Sequence, residues 1–332
     1  MRKTVLTLAA CATLCAPALA QSPVIVYGIA DAGIGRIRTL SAKDPRAGQN
    51  PFVYPDVEGG NGRTQFTSHS LMNNVNSRFG LRGAEDLGAG LRAGFVLETG
   101  LDLDDGAADR VPAFLQRQAA LWLGSAWGTL KLGRQFTPSL LAQAAYEITS
   151  GANYSPLNNS FEAAGLGKRA SSAFVYTSPD MGDFQVAAAF ISKNDAGAKK
   201  NIWDLGLKYT RAPLTAGVGI NKGADGGSTN YHMGGKYSLG SVAIAASYNS
   251  ASTEGVPELR RRGWSLGASV SMGAITLAAD LVRDTKNQWH GKKMTNAVVE
   301  ARYAFSKHTF AYGAALRLDG QNNWGLGICY SF

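Results

Sequence analysis

The feature that most limits how this chain can fold is a two-residue alternation that recurs along it. In "SVAIAASY", Val242, Ile244, Ala246 and Tyr248 share one face, and in "RGWSLGASV", Trp264, Leu266, Ala268 and Val270 do the same. In "AVVEARYAF", Ala297, Val299, Ala301, Tyr303 and Phe305 take one side while Glu300 and Arg302 take the other. Period 2 marks a β-strand. A face of small, polar or charged residues argues against a dry core on that side. It suits a closed sheet with lipid outside and water inside.

The connections alternate as well. "EDLGAG", "GSAWG", "SPDMGD", "TRAP", "SLGS", "SMGA" and "SKH" read as seven tight turns. Between them lie eight longer polar segments, at 39–66, 104–111, 137–167, 193–200, 224–229, 251–259, 284–293 and 318–322. Seven turns and eight loops join sixteen strands. The expected fold is all-β, a 16-stranded antiparallel transmembrane barrel, with both chain ends on the short-turn side. Tyr176, Tyr209, Tyr237, Val270, Tyr303 and Tyr330 each close a strand, at spacings of 33, 28, 33, 33 and 27 residues. Rings at one repeated height form the girdle that an interface with lipid headgroups favours. The alternating last strand, "NNWGLGICYSF", ends on Phe332. Its outward row of Trp324, Leu326, Ile328, Tyr330 and Phe332 must pair with "VIVYGIADAGI" to close the sheet, because an open edge in lipid leaves polar backbone unpaired.

Residues 1–20 read as a separate object. Arg2 and Lys3 precede the apolar "TVLTLAACATLCAPA", and Ala18-Leu19-Ala20 forms a small-x-small cleavage site before Gln21. A lipid-attachment box at Cys11 is the rival, against which the short apolar run before it counts. The expected mature barrel is 21–332, which holds 312 residues (332 less 20) and one cysteine, Cys329. A lone cysteine excludes an intrachain disulfide and a thiolate metal cluster. With 31 basic residues (33 less Arg2 and Lys3) and 24 acidic ones, the mature chain carries a charge of +7.

Enzymatic chemistry finds little support. His69, His232, His290 and His308 lie in separate segments, with no nucleophile and acid spaced around them as a hydrolase needs. "GIGRIR" lacks the third glycine of a dinucleotide fingerprint, and no phosphate-cradling loop occurs. Neither a metal nor a cofactor is expected. Basic charge without a reading helix or an aromatic platform argues against nucleic acid. A soluble binding protein would alternate helices with strands.

The stretches "VIVYGIADAGI", "SRFGLRGAEDLGAGLRAGFVLETGLDLD", "RQAALWLGSAWGTLKLGRQFTP" and the terminal aromatic strand resemble the trimeric general porins of Gram-negative bacteria, especially the β-proteobacterial group. The resemblance covers nearly the whole mature chain. It implies a homotrimer and a long third loop, 137–167, folded into the lumen as a constriction. It also implies wall arginines facing loop acids, with solutes sorted by the field between them. The family's arginines match Arg78 in "SRFGLRG", Arg117 in "RQAALW" and Arg169 in "KRASSAFVY". Parity independently sets Arg78 and Arg169 opposite the apolar Phe79, Leu81, Phe174 and Tyr176, whereas Arg117 shares parity with Leu121 and Leu123. Two departures stand out: the third loop carries only Glu147 and Glu162, and the residues around the penultimate position are Cys329 and Ser331.

Three arginines against two acids predict a passive channel for small hydrophilic solutes and ions, with moderate anion preference. Arg82, Arg134 and Lys168 either add to that field or face bulk water, and Asp31, inward on the first strand, opposes it locally. A solute-specific channel is the runner-up, with Tyr146, Tyr154 and Phe161 as a lumen track or as packing for the loop. A structural or adhesin barrel is the more distant alternative. Arg260, Arg261 and Arg262, with Lys286, Lys292 and Lys293, crowd two extracellular loop ends. They are expected to bind lipopolysaccharide phosphates, to draw anions to the mouth, or only to solvate the loops. In the resembling family the terminal aromatic, here Phe332, is also read by the outer-membrane assembly machinery.

Overall fold

A computed structural model of the chain describes residues 24–39, 60–108, 114–161, 167–192, 200–222, 229–252 and 258–332. The expected export segment, 1–20, and Glu162 lie outside the described residues.

The strands run antiparallel, each paired with its neighbours in sequence. They are β1 (Ile25–Arg36), β2 (Thr64–Thr67), β3 (Arg78–Gly88), β4 (Leu91–Gly100), β5 (Gln118–Ser125), β6 (Gly128–Phe136), β7 (Arg169–Thr177), β8 (Phe184–Ile191) and β9 (Ile202–Arg211). The second half is β10 (Leu214–Lys222), β11 (Thr229–Leu239), β12 (Val242–Ser252), β13 (Arg260–Met272), β14 (Ile275–Asn287), β15 (Thr295–Ala304), β16 (Thr309–Leu318) and β17 (Gln321–Ser331). β17 pairs with β1 from Ile29↔Ser331 to Arg36↔Trp324, so the sheet closes on itself. β2 and β3 sit at successive heights beside β1 and form one stave, giving a sixteen-stave wall.

Alternation is realised as lipid-facing and lumen-facing rows. Phe79, Leu121, Phe174, Phe190, Leu205, Val299 and Ile328 are exposed on the outside. All seven tight turns fall between the strands that the sequence assigns to them. Tyr176, Tyr237, Tyr303 and Tyr330 are exposed close to the turn ends of their strands, where a headgroup girdle lies.

One element departs from the sequence reading. The loop expected over 39–66 gives way to strand already at Thr64, and the second stave then breaks over 68–77, "SHSLMNNVNS". Side chains there compete with the ladder for backbone groups: Ser70 donates its N–H to Asn73 Oδ1 at 3.0 Å. Leu71 and Met72 are buried, and Met72 packs so close to Gly325 of β17 that a Cβ there would meet it at 2.7 Å.

The third loop contains α1 (Pro138–Gln143) and α2 (Pro156–Phe161), both inside the barrel. α1 lies against β8–β11 and α2 against β12–β16. The wall beneath is cut away to receive them. A Cβ on Gly206 or Gly217 would strike the carbonyls of Pro138 and Ala142, and one on Gly234 would meet the Tyr146 ring at 2.8 Å. Polar contacts fix the bed. Ser139 donates its N–H to Asp204 Oδ2 at 3.0 Å, and Thr215 donates its hydroxyl to the Ala145 carbonyl at 2.7 Å.

Candidate functional site

With the described part of the third loop, 137–161, laid over β8–β16 and segment 68–77 over β1 and β17, the wall left facing the open lumen is β3–β7. That wall is basic. Arg78 and Arg82 project from the lumen side of β3, Lys131 from β6 and Arg169 from the start of β7. Arg117, one residue before β5, escapes that strand's parity: Leu121 and Leu123 face outward, yet Arg117 is buried inside.

At the centre is Glu98 of β4, which the sequence reading did not single out. It accepts from Arg117 Nε at 2.7 Å and from the Tyr27 hydroxyl at 3.0 Å, and Arg78 Nε stands 4.0 Å away. Parity held the signal, because outward Phe95 and Leu97 leave Glu98 on the side of Arg78 and Arg82. Arg82 lies 5.2 Å over the Tyr27 ring, and Arg169 lies 4.4 Å over the Phe136 ring. Lys131 donates to Gln118 Oε1 at 3.2 Å. Arg134 donates to the Gln116 carbonyl and to the Ser171 hydroxyl, tying strand ends together. The Lys168 carbonyl accepts the Thr137 N–H at 3.2 Å at the base of the third loop.

Two expected acids take other places. Glu147 does not reach out to the arginines; it is buried in its own loop, accepting from Gly151 N–H at 2.5 Å, Thr149 Oγ1 at 2.5 Å and Ser155 Oγ at 2.8 Å. A carboxylate leaves water only where several donors replace it, and the loop supplies three. Asp31 points inward as expected but does not line the pore. Segment 68–77 covers it, and it accepts from Tyr312 Oη at 2.6 Å, Val75 N–H at 2.9 Å and Asn73 Nδ2 at 3.0 Å.

Burial is common to the carboxylates on the lumen side of β1, β4, β9, β14 and β15. Asp31, Glu98, Asp204, Asp280 and Glu300 are each no more than 5% exposed. The lumen cations Arg78, Lys131, Lys208, Lys236 and Arg302 are partly exposed, and Arg82 is exposed. Among the described residues of the third loop, those exposed toward the lumen include the uncharged Leu141, Ala144, Ser150 and Gly151.

The aromatic residues of the loop are anchors. Tyr146 is buried with its hydroxyl 2.7 Å from His232 Nδ1, while His232 Nε2 is 2.9 Å from the Ser139 carbonyl. Tyr154 accepts from Asn74 Nδ2 at 2.8 Å and packs 6.1 Å from Tyr312, and Phe161 lies under Arg261 at 5.8 Å. Burial pushes both tyrosine hydroxyls well above the ordinary range, so they stay protonated. None of the three rings forms a lumen track.

The profile of the Gram-negative porin family matches residues 7–323. The chain belongs to that family. As a porin it sits in the outer membrane and lets solutes cross by passive diffusion through its lumen. Outer membrane porin protein 32 of Delftia acidovorans is 28% identical over 83% of this porin and 77% of its own length. An outer membrane porin of Bordetella pertussis is also 28% identical, over 75% of this chain and 69% of the relative. Among solved structures, the anion-selective porin from Comamonas acidovorans superposes with a TM-score of 0.72 at 22% identity, covering 94% of this porin and 100% of that chain. The trimer form of OmpT from Vibrio cholerae gives 0.64 at 17% identity, covering 94% and 99%.

Proposed function

We propose that this porin is a general diffusion channel with moderate anion preference, working as a homotrimer after export directed by residues 1–20. The observation that carries the preference is unequal burial. The carboxylates on the lumen side of β1, β4, β9, β14 and β15 are buried, while cations on the β3–β7 wall remain in contact with pore water. Fixed positive charge in a narrow aqueous passage lowers the barrier for an anion and raises it for a cation. Within the pore, Glu98 offsets part of the charge of Arg78 and Arg117, which keeps the preference moderate.

Passage through the channel involves no bond making. A solute enters from bulk water, exchanges part of its hydration for Arg82, Lys131 and Arg78, passes the third loop and leaves down its gradient. The relative from Comamonas acidovorans is named for anion selectivity, and OmpT of Vibrio cholerae is known in a trimer form; both agree with this reading.

The test is the zero-current potential of the reconstituted porin across a KCl gradient. An anion-selective sign supports the proposal, and a cation-selective sign overturns it. Replacing Arg78, Arg117 and Arg169 together by glutamine should move the potential toward zero. An unchanged potential would place the selectivity elsewhere.

A further inference from the structure

The ladder gives Glu98 two arginine neighbours, and one of them stays away from it. Glu98 stands directly opposite Gly80, so Arg78 and Arg82, two residues to either side of Gly80 on the lumen face of β3, are its diagonal neighbours. Diagonal neighbours lie roughly 7–8 Å apart, within reach of a long side chain. Arg78 approaches the carboxylate to 4.0 Å. Arg82 is exposed to pore water and forms no ion pair among the described residues.

Between Arg82 and Glu98 lies Tyr27. It pairs with Gly80 from the other side, so Tyr27, Gly80 and Glu98 form one cross-strand row over β1, β3 and β4. Two strand spacings, about 10 Å, separate the ends of this row. A side chain bridges that span only where nothing stands in the middle, and glycine leaves the middle empty. A Cβ on Gly80 would meet Tyr27 Cζ at 2.4 Å and Oη at 2.6 Å, so the phenol end rests on the β3 backbone. From there the hydroxyl donates to Glu98 Oε2 at 3.0 Å, while Arg117 Nε holds Oε1 at 2.7 Å. The guanidinium carbon of Arg82 lies 5.2 Å from the centre of the same ring.

An aromatic ring over a glycine is by itself ordinary packing. Trp122 covers Gly94 in the same way, with a Cβ there meeting its Cζ2 at 2.4 Å, and no cation stacks on that ring among the described residues. Tyr27 differs in touching charge at both ends. Its hydroxyl meets a buried carboxylate, and its ring meets a cation of the pore.

We propose that Tyr27 is a positioning residue for ion preference, whose ring keeps Arg82 off Glu98 and stacks it toward the pore. A ring face attracts a guanidinium without bringing a charge of its own, so passing ions still meet the full positive charge of Arg82. An ion pair with Glu98 would cancel most of it. Resting on the anion preference proposed above, this role makes an uncharged side chain a determinant of charge selectivity.

The experiment measures zero-current potentials of the full-length porin in planar bilayers across a KCl gradient. Tyr27→Ala removes the ring and lets Arg82 close on Glu98, so the chloride-to-potassium permeability ratio should fall at least halfway to the value of R82Q. Tyr27→Phe keeps the ring and should rescue the ratio. Where Glu98→Gln has removed the carboxylate, Tyr27→Ala should add no shift, so Y27A/E98Q should match E98Q; a double-mutant cycle of this kind isolates the coupling. A wild-type ratio in Y27A overturns the role. An equal fall in Y27A and Y27F overturns it in favour of the hydroxyl, and a full fall in Y27A/E98Q relative to E98Q overturns the competition for Glu98. Gly80→Ala displaces the ring with Tyr27 in place, since only the far end of a side chain has to swing aside. It should reproduce Y27A, and it decides alone if Y27A does not fold. A cation-selective wild type would sink the anion preference, yet the direction of the Y27A shift would still decide the place of Tyr27.

Discussion

Arg117 is tied to Glu98 twice: its guanidinium Nε donates to Glu98 Oε1 at 2.7 Å and its backbone N–H donates to the Glu98 carbonyl at 3.3 Å. The first contact is an ion pair with both side chains largely buried, and Arg78 approaches the same carboxylate. Glu98→Gln removes the negative charge and leaves two arginines uncompensated. The zero-current potential should move further toward anions. Breaking a buried pair also costs stability, about 3 kcal/mol. The folded fraction against temperature, followed by electrophoretic mobility without boiling, should show the loss. A variant with unaltered potential and lowered stability would make Glu98 a purely structural residue.

Charge that already has a partner should matter less to a passing ion than charge facing water. Arg82 is exposed and Lys131 half-exposed, whereas Arg117 is buried against Glu98. R82Q/K131Q should therefore reduce anion preference more than R117Q does, with the order read from reversal potentials in one salt gradient. The reverse order would locate the narrowing at Arg117. Both effects should shrink as salt rises, since the Debye length falls from about 10 Å at 0.1 M to about 3 Å at 1 M.

The barrel was legible in the sequence because the rule that writes it is local. Alternation sets which face each residue takes, and turns set the count of staves, so neither needs knowledge of distant contacts. The site was legible only in part, for a physical reason. Parity says that Asp31 and Glu300 point inward, but exposure depends on what is laid over them. Segment 68–77 and the third loop cover those acids through contacts between residues far apart in the chain, such as Asn73 with Asp31 and Arg302 with the Thr149 carbonyl. Arg117 shows the other limit: parity fails one residue outside a strand. Glu98 was within reach of parity, since outward Phe95 and Leu97 set it on the lumen row.

The bed under α1 is glycine by necessity. At Gly217 a Cβ would collide with the Ala142 carbonyl, which belongs to backbone and cannot swing aside. Gly217→Val should lift the loop into the lumen, at a cost of about 1–3 kcal/mol of packing strain. Single-channel conductance should fall, with more frequent closures. Wild-type conductance in this variant would mean that the loop lies elsewhere.

Tyr146 and Tyr154 link the loop to the wall, and their hydroxyls are raised above the ordinary value of 10.0 chiefly by burial. In the unfolded chain they ionise near pH 10 while the folded loop holds them neutral, so the stability they contribute is full below pH 10 and is lost progressively above it, until the folded hydroxyls themselves ionise. The loop should loosen in strongly alkaline solution. Tyrosinate absorbance should show fewer groups titrating in the folded porin than in the denatured one. Equal counts would contradict the buried placement. Tyr146→Phe should remove the link to His232 and cost about 1 kcal/mol.

Phe332 completes the closing seam. Its N–H donates to the Gly28 carbonyl at 3.1 Å, its own carbonyl accepts from the Gly28 N–H at 3.0 Å, and its ring stacks 6.2 Å from Tyr330 on the outer face. The ring also fills the space a side chain on residue 28 would need. Two ladder bonds are worth about 1 kcal/mol each, a small part of a sheet this size. Deleting Phe332 should therefore leave the conductance of assembled channels unchanged. If the residue is also an assembly address, the yield in cells should still drop several-fold. Folding into pure lipid vesicles separates the two roles. A deletion that folds normally there but fails in cells has lost the address, and one that is slow in both has lost only the seam.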